Sequence, residues 1–236
     1  MLSPMANNEP PPNWLTVLYR AFLSPTKARK SYSQFGEDLI LQTLPNFPEK
    51  GFFVDIGCHA PRRGSNTYGL YKRGWNGILV DLEPEKVWAC RLARPRDIAV
   101  LAAISNKEES VEIYSPKDFS VLSTIAPDEK IKRNFYISGT TQSKTLTRLL
   151  NEHHAPKRLD FLSIDTEGAD YQVLEGLDFN IYSPKCICVE KPESDATIEK
   201  IIDSKIYHLM KTLNYQMAGW SGASLIFTNR NVVSLD

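Results

Sequence analysis

The chain has 236 residues, with 28 basic and 28 acidic side chains, a formal net charge of zero and 42% hydrophobic residues. That length holds one α/β domain with a short lead-in, and the neutral balance supplies no overall basic field to attract nucleic acid. No run approaches the roughly 20 apolar residues needed to span a bilayer, and the polar, proline-rich residues 1–12 lack the basic and apolar regions of a secretion signal.

In chain order, residues 1–30 read as a disordered tail plus a lead-in helix, and 31–236 as the main domain. Trp14, Leu15, Leu18 and Phe22 recur at helical spacing, so 13–23 is predicted to be an amphipathic helix. It either packs on the domain or makes a peripheral contact with a partner or membrane surface. A short basic linker, Lys27 to Lys30, follows. Ser33 is a natural N-cap for a helix over 34–44, with Glu37 and Asp38 near its positive end. The apolar run Phe52 to Ile56 is the first buried strand, 67–73 a helix, Gly77 to Asp81 a second strand and 85–93 a helix stopped by Pro95. Strands are expected over 98–104 and 111–114, a mobile loop over 119–138 and a helix over 143–152. A strand over 159–164, a helix over 171–177, a strand over 186–189, a helix over 198–213 and closing strands at 215–218 and 224–228 complete the pattern. Strands alternating with helices predict an α/β fold, a mostly parallel sheet covered on both faces. Cys58, Cys90, Cys186 and Cys188 form neither a CxxC nor a zinc-knuckle pattern and read as reduced, which suits a cytoplasmic protein.

Four predicted strands end in acids, Asp55, Asp81, Asp165 and Glu190. Open α/β sheets bind ligands outside the carboxyl ends of their strands, so these acids point to one shared cleft. Gly57 follows Asp55 where the chain must turn closely beneath a ligand. Asp81 is placed to accept hydrogen bonds from a ribose diol, with Glu83 as the alternative two positions on. A dinucleotide site would want G-x-G-x-x-G for its pyrophosphate, and here the loop reads Gly57-Cys-His-Ala-Pro-Arg-Arg-Gly64. A nucleoside ligand without phosphates fits better than a nicotinamide cofactor.

Several separated motifs, in order, resemble the FkbM family of methyltransferases. They are Ser33-Gln-Phe-Gly-Glu-Asp38, Phe53-Val-Asp-Ile-Gly57, Ser65-Asn-Thr-Tyr68 with Gly74-Trp75, Arg94-Pro-Arg-Asp-Ile98, Phe161-Leu-Ser-Ile-Asp-Thr-Glu-Gly168 and Gly176-Leu-Asp-Phe179. The resemblance implies a class I, Rossmann-like methyltransferase fold and S-adenosylmethionine as methyl donor. It also implies O-methylation of a sugar, glycan or natural product as the reaction. On that resemblance Asp55 and Gly57 underlie the methionine part of the donor, Asp81 holds the ribose and Asp97 lies near the adenine. Gln34, Glu37 and Asp38 close the pocket, while Ser65 and Asn66 either donate to the methionine carboxylate or cap a helix.

Asp165, Glu167 and Glu190 are the candidate catalytic acids, able to act as a general base or to hold magnesium. His59, directly after the glycine turn, either faces the cofactor or is a further candidate base. Arg62 and Arg63 are candidates for steering an anionic acceptor, and Trp220 for stacking on a sugar. His153, His154 and His208 read as structural. The alternative from another class is a catalytically silent, nucleoside-binding or scaffold domain. The expected partner is a small-molecule or glycan acceptor rather than nucleic acid, and the sequence leaves the oligomeric state open.

Overall fold

The computed structural model describes residues 13–23, 29–117, 123–127, 134–190 and 197–230, and the counts below are of these residues. Residues 1–12, expected to be disordered, lie outside them. The chain divides into two compact units, Met1–Lys30 and Ser31–Asp236. In the first, Asn13 caps helix α1 (Trp14–Leu18) by accepting from the amides of Leu15 and Thr16, and a π-helical turn continues it over Tyr19–Leu23.

The second unit is built on a seven-stranded sheet. Its strands are β1 (Phe52–Ile56), β2 (Asn76–Asp81), β3 (Ile98–Leu101), β7 (Phe161–Ile164), β8 (Cys186–Glu190), β9 (Tyr215–Ser221) and β10 (Ser224–Asn229). The spatial order is β3-β2-β1-β7-β8-β10-β9. The first five in that order run parallel, and β10 pairs antiparallel with both β8 and β9. The chain winds outward from β1 to β3, then returns to lay β7 on the other side of β1. This reversal opens a crevice between the β1 and β7 loops, where such folds bind ligands.

Period-two alternation decides which side chain meets which helix layer. Val54, Ile56, Ile78, Val80, Leu162, Ile164, Ile187, Val189, Leu225 and Phe227 share one buried cluster with residues of four helices: α5 (Leu146–Glu152), α6 (Asp170–Glu175), α7 (Ile198–Ile202) and α8 (Lys205–Thr212). The opposite face puts Phe53, Leu79, Phe161, Cys186, Cys188 and Ile226 against α2 (Glu37–Leu41), α3 (Tyr68–Lys72) and α4 (Pro84–Ala93). The structure is therefore the expected Rossmann-like, mostly parallel sheet with helices on both faces. All four cysteines are free and buried. No helix of the described residues is long and apolar enough to cross a membrane.

Five local expectations change. The single strand expected over 98–104 is two, because the chain leaves the main sheet after Leu101 and Ala103–Ser105 pairs in a second sheet. Helix α2 starts at Glu37 rather than Gln34, because Gly36 adopts a left-handed φ of +87° that helix cannot use. Gly36 takes the N-cap position, while the Ser33 hydroxyl accepts from the Asp38 amide at 3.3 Å and donates to the Asp38 carboxylate. Residues 143–145 belong to a second sheet, of order β4-β6-β5, made of β4 (Ala103–Ser105), β5 (Ser110–Pro116) and β6 (Phe135–Thr145). Thr145 then caps α5 through the Arg148 amide. The expected loop over 119–138 thus loses its last residues to β6, and 118–122 and 128–133 lie outside the described residues. The single helix over 198–213 is two, because Ser204 caps a new start by accepting from the Tyr207 amide.

Trp75, fully buried, stacks on Phe47 at 5.4 Å between ring centroids and donates its indole N–H to the Glu49 carbonyl. Trp75→Ala is expected to lower stability by about 3–5 kcal/mol. Urea unfolding checks this, with Trp75→Phe, which keeps an aromatic ring and loses the hydrogen bond and part of the ring volume, falling short of that loss.

Candidate active site

The carboxyl ends of β1, β2, β7 and β8 carry Asp55, Asp81, Asp165 and Glu190 along one edge of the sheet. Gly57 sets how closely the two central loops approach. Its φ is +81°, and a Cβ there would lie 1.7 Å from the Asp165 carbonyl oxygen. Any side chain would drive the β1 and β7 loops apart.

The β1 end is a buried polar seam. Thr67 donates to the Asp55 carboxylate at 2.6 Å, and Asn66 donates its amide N–H to Ser163 Oγ at 3.1 Å. Burial raises the Asp55 carboxyl above its ordinary range, partly offset by Thr67 and by Arg94. Asp81, 6% exposed, accepts from the backbone N–H of His59 at 2.9 Å and of Glu83 at 3.1 Å. Lys86, which sequence reasoning did not single out, lies 3.0 Å from Glu83 and 3.8 Å from Asp81. Both Asp81 and Glu83 therefore stand at the β2 end, and the two-position ambiguity of the sequence persists as a shared cluster.

The acid turn after β7 is held by Asp170, which accepts from the backbone N–H groups of Thr166 at 3.0 Å and Gly168 at 3.1 Å. Glu167 sits at φ +55° and Gly168 at φ +115°, two consecutive left-handed residues that make the turn. Thr124 Oγ1 donates to the Thr166 carbonyl at 3.2 Å, which lays residues 123–127 over this turn. Carboxylate oxygens of Asp165, Glu167 and Glu190 lie within 4.8 Å of one another. Burial and the neighbouring Glu190 push the Asp165 carboxyl well above the usual range. Burial and Glu190 raise Glu167 to about 7, with Lys86 opposing, and burial raises Asp170 to about 6.

The other expected site residues divide. His59, at φ +48°, is placed by its backbone against Asp81, and its imidazole faces the charges of Lys86, Asp81 and Glu83. Burial and Lys86 lower its pKa, which favours the neutral imidazole. Asp97 also leaves the site. It pairs with Arg94 at 2.7 Å and accepts from the Gly77 amide at the amino end of β2, roughly 13 Å along the strand from Asp81.

Glu37 and Asp38, both 2% exposed, stand in the first turn of α2 and tie the preceding loop, with Glu37 also reaching β10. Glu37 accepts from the Phe35 amide and Ser224 Oγ, and Asp38 from Ser31 Oγ, Ser33 Oγ and the Tyr32 amide. Gln34 is exposed. Ser65 is buried and accepts from the Tyr68 amide at the start of α3, while Asn66 is half-buried in the seam. Arg62 and Arg63 are exposed, and Trp220 is partly exposed on β9 with its N–H donated to the Gly222 carbonyl.

Arg94 is the missed structural residue of the site. It is 1% exposed, sandwiched between the Phe53 and Tyr71 rings, and donates to Asp97, Thr67 and Ser65. A line of contacts Asp97–Arg94–Thr67–Asp55 thus positions the β1 carboxylate. Arg94→Met leaves Asp97 buried without its partner and is expected to cost about 3–5 kcal/mol in denaturant unfolding. In Arg94→Met/Asp97→Leu much of that loss is expected to return.

The acid turn makes a second measurable statement. In the folded chain Glu167 keeps its proton up to about pH 7, whereas its reference value is 4.5. Between those values the folded state binds more protons than the unfolded one, so stability falls as pH rises through that window. Thermal unfolding between pH 4.5 and 7 checks this, and Glu167→Gln is expected to flatten the decline.

Comparison with known proteins bears on this geometry. No curated protein matches the chain at a significant level. Among solved structures, a TehB-like SAM-dependent methyltransferase from Corynebacterium glutamicum aligns with 12% identity and a TM-score of 0.40, over 92% of this chain and 95% of that one. Residues 55–217, which run from the Asp55 carboxylate through the acid turn and Glu190 into β9, match the Methyltransferase FkbM domain. The chain belongs to the FkbM methyltransferase family.

Proposed function

We propose that the protein transfers a methyl group from S-adenosylmethionine to a hydroxyl of a sugar, glycan or natural product, with Asp165 as the general base. One observation carries this reading: three carboxyl groups converge within 4.8 Å of one another at the carboxyl ends of β7 and β8. They stand beside a glycine turn that leaves no room for a Cβ.

S-adenosylmethionine supplies an electrophilic methyl group on a sulfonium. The residues present suit such a molecule. Gly57 and Asn66 offer a close backbone approach and an amide, Asp55 shapes the seam beneath them, and Asp81 with Glu83 offers carboxylates to the ribose diol. A hydroxyl acceptor is a poor nucleophile until its proton is taken, and a carboxylate raised toward neutrality is suited to take it. Asp165 and Glu190 stand together in this acid cluster, and burial with the neighbouring Glu190 raises the proton affinity of Asp165, which suits it to take the hydroxyl proton. Glu167, raised to about 7, is placed to relay that proton outward past Lys86.

The same three carboxylates offer the oxygen ligands that magnesium prefers. Burial among like charges raises the proton affinity of Asp165 and Glu167, so protons compete with an ion there, which favours the metal-free base. Methyl transfer that survives EDTA is the expected outcome, and loss restored by magnesium would reverse the assignment.

S-adenosylhomocysteine is expected to raise the melting temperature, with about 2.7 kcal/mol of stabilisation at a hundredfold excess over Kd. Asp165→Asn is expected to keep that shift while lowering transfer to a hydroxyl acceptor by roughly 10²–10⁴-fold. Absence of a shift in the wild type would remove the donor from the proposal, and full activity in Asp165→Asn would remove the base.

A further inference from the structure

The amino-terminal unit carries a feature that methyl transfer does not use. Over the ten residues of α1 and its π-helical continuation, Trp14, Leu15, Val17, Leu18, Tyr19, Phe22 and Leu23 are all exposed, Leu15 at 80% and Phe22 at 79%. None of the residues in either segment is buried. Contiguous exposed apolar surface of this kind marks a protein or membrane contact. The family match begins at residue 55, so the methyltransferase domain proper lies beyond this helix.

Charge identifies the partner. The whole chain is neutral, yet no Asp or Glu occurs between Glu9 and Glu37, while Arg20, Lys27, Arg29 and Lys30 fall in that stretch. The helix is too short to cross a bilayer, and its polar residues Asn13, Thr16 and Arg20 recur at helical spacing on one stripe. Trp14 and Tyr19 have the amphipathic rings that settle at a lipid–water boundary. Apolar side chains on one sector, an uncharged or basic remainder and flanking cations are the features of a helix lying in the plane of an anionic interface. A groove on a protein partner would need the apolar anchors but not the run free of acids.

From this charge complementarity we infer that the segment over residues 13–30 is an interfacial anchor that seats the protein on anionic lipid membranes. The inference is independent of the acceptor and of the catalytic base. Its test is co-sedimentation of the full chain with vesicles of phosphatidylcholine alone and of phosphatidylcholine mixed with phosphatidylglycerol. The expected result is pelleting with the anionic vesicles, release by added salt, and little pelleting with the neutral ones. Leu15→Ser/Phe22→Ser and, separately, Arg29→Glu/Lys30→Glu are each expected to lower partitioning by about tenfold or more. An unchanged melting temperature in both variants shows that the fold is intact. Wild-type protein that stays in the supernatant with both vesicles would overturn the inference. So would equal binding to both vesicles, or sedimentation equilibrium showing a dimer that Leu15→Ser/Phe22→Ser dissolves, because a second copy would then cover the apolar face.

Discussion

The site depends on how closely the backbones of the β1 and β7 loops approach at Gly57. A single glycine, left-handed and within 1.7 Å (from its would-be Cβ) of the Asp165 carbonyl, fixes the separation of the two central strand ends. Everything chemical follows from that spacing. Asp55 and Asp165 reach the same edge, Glu190 comes alongside from the next strand, and water is largely excluded from among them. The raised carboxyl pKa values are the electrostatic record of that exclusion, since burial is the largest contribution at Asp55, Asp165, Glu167 and Asp170 alike.

Holding several desolvated acids in one cleft is unfavourable unless the backbone around them is tied down. Asp170 ties the acid turn through two amide hydrogen bonds, and Arg94 ties the β1 end through Thr67. Those two anchors lie on different elements, α6 and the end of α4, and each is nearly inaccessible to solvent. The consequence is a cleft whose carboxyls have fixed neighbours and perturbed proton affinities, which is what a positioned base requires.

Much of this was legible in the residues, and the reasons are specific. Apolar runs ending in Asp55, Asp81, Asp165 and Glu190 marked strands and cleft together, because a parallel strand buried on both faces must be apolar until it reaches the ligand edge. The glycine turn was legible for the same reason. Asp97 was misplaced because its motif shows that it matters without showing which end of β2 it serves; only Arg94 and the Gly77 amide reveal that. Glu37 and Asp38 do stand in the first turn of α2, where acids favour the helix dipole, but Gly36 starts that helix later than the sequence suggested and their oxygens also accept from neighbouring amides and hydroxyls. Lys86 gave no local signal, since one lysine in an amphipathic helix is indistinguishable from its neighbours until the helix is docked beside Asp81. The split at Ser204 and the strand over 143–145 are the usual victory of a side-chain cap and of sheet pairing over a plain periodic reading.

The most direct test of the account is a titration with S-adenosylhomocysteine that follows the side-chain carboxyl ¹³C resonances. If the cleft at the carboxyl edge is the donor site, the signals of Asp55, Asp81, Asp165 and Glu190 move together and saturate, while that of Asp97 stays in place. A saturating change centred on Asp97, or none at all among the four strand-end acids, would contradict it.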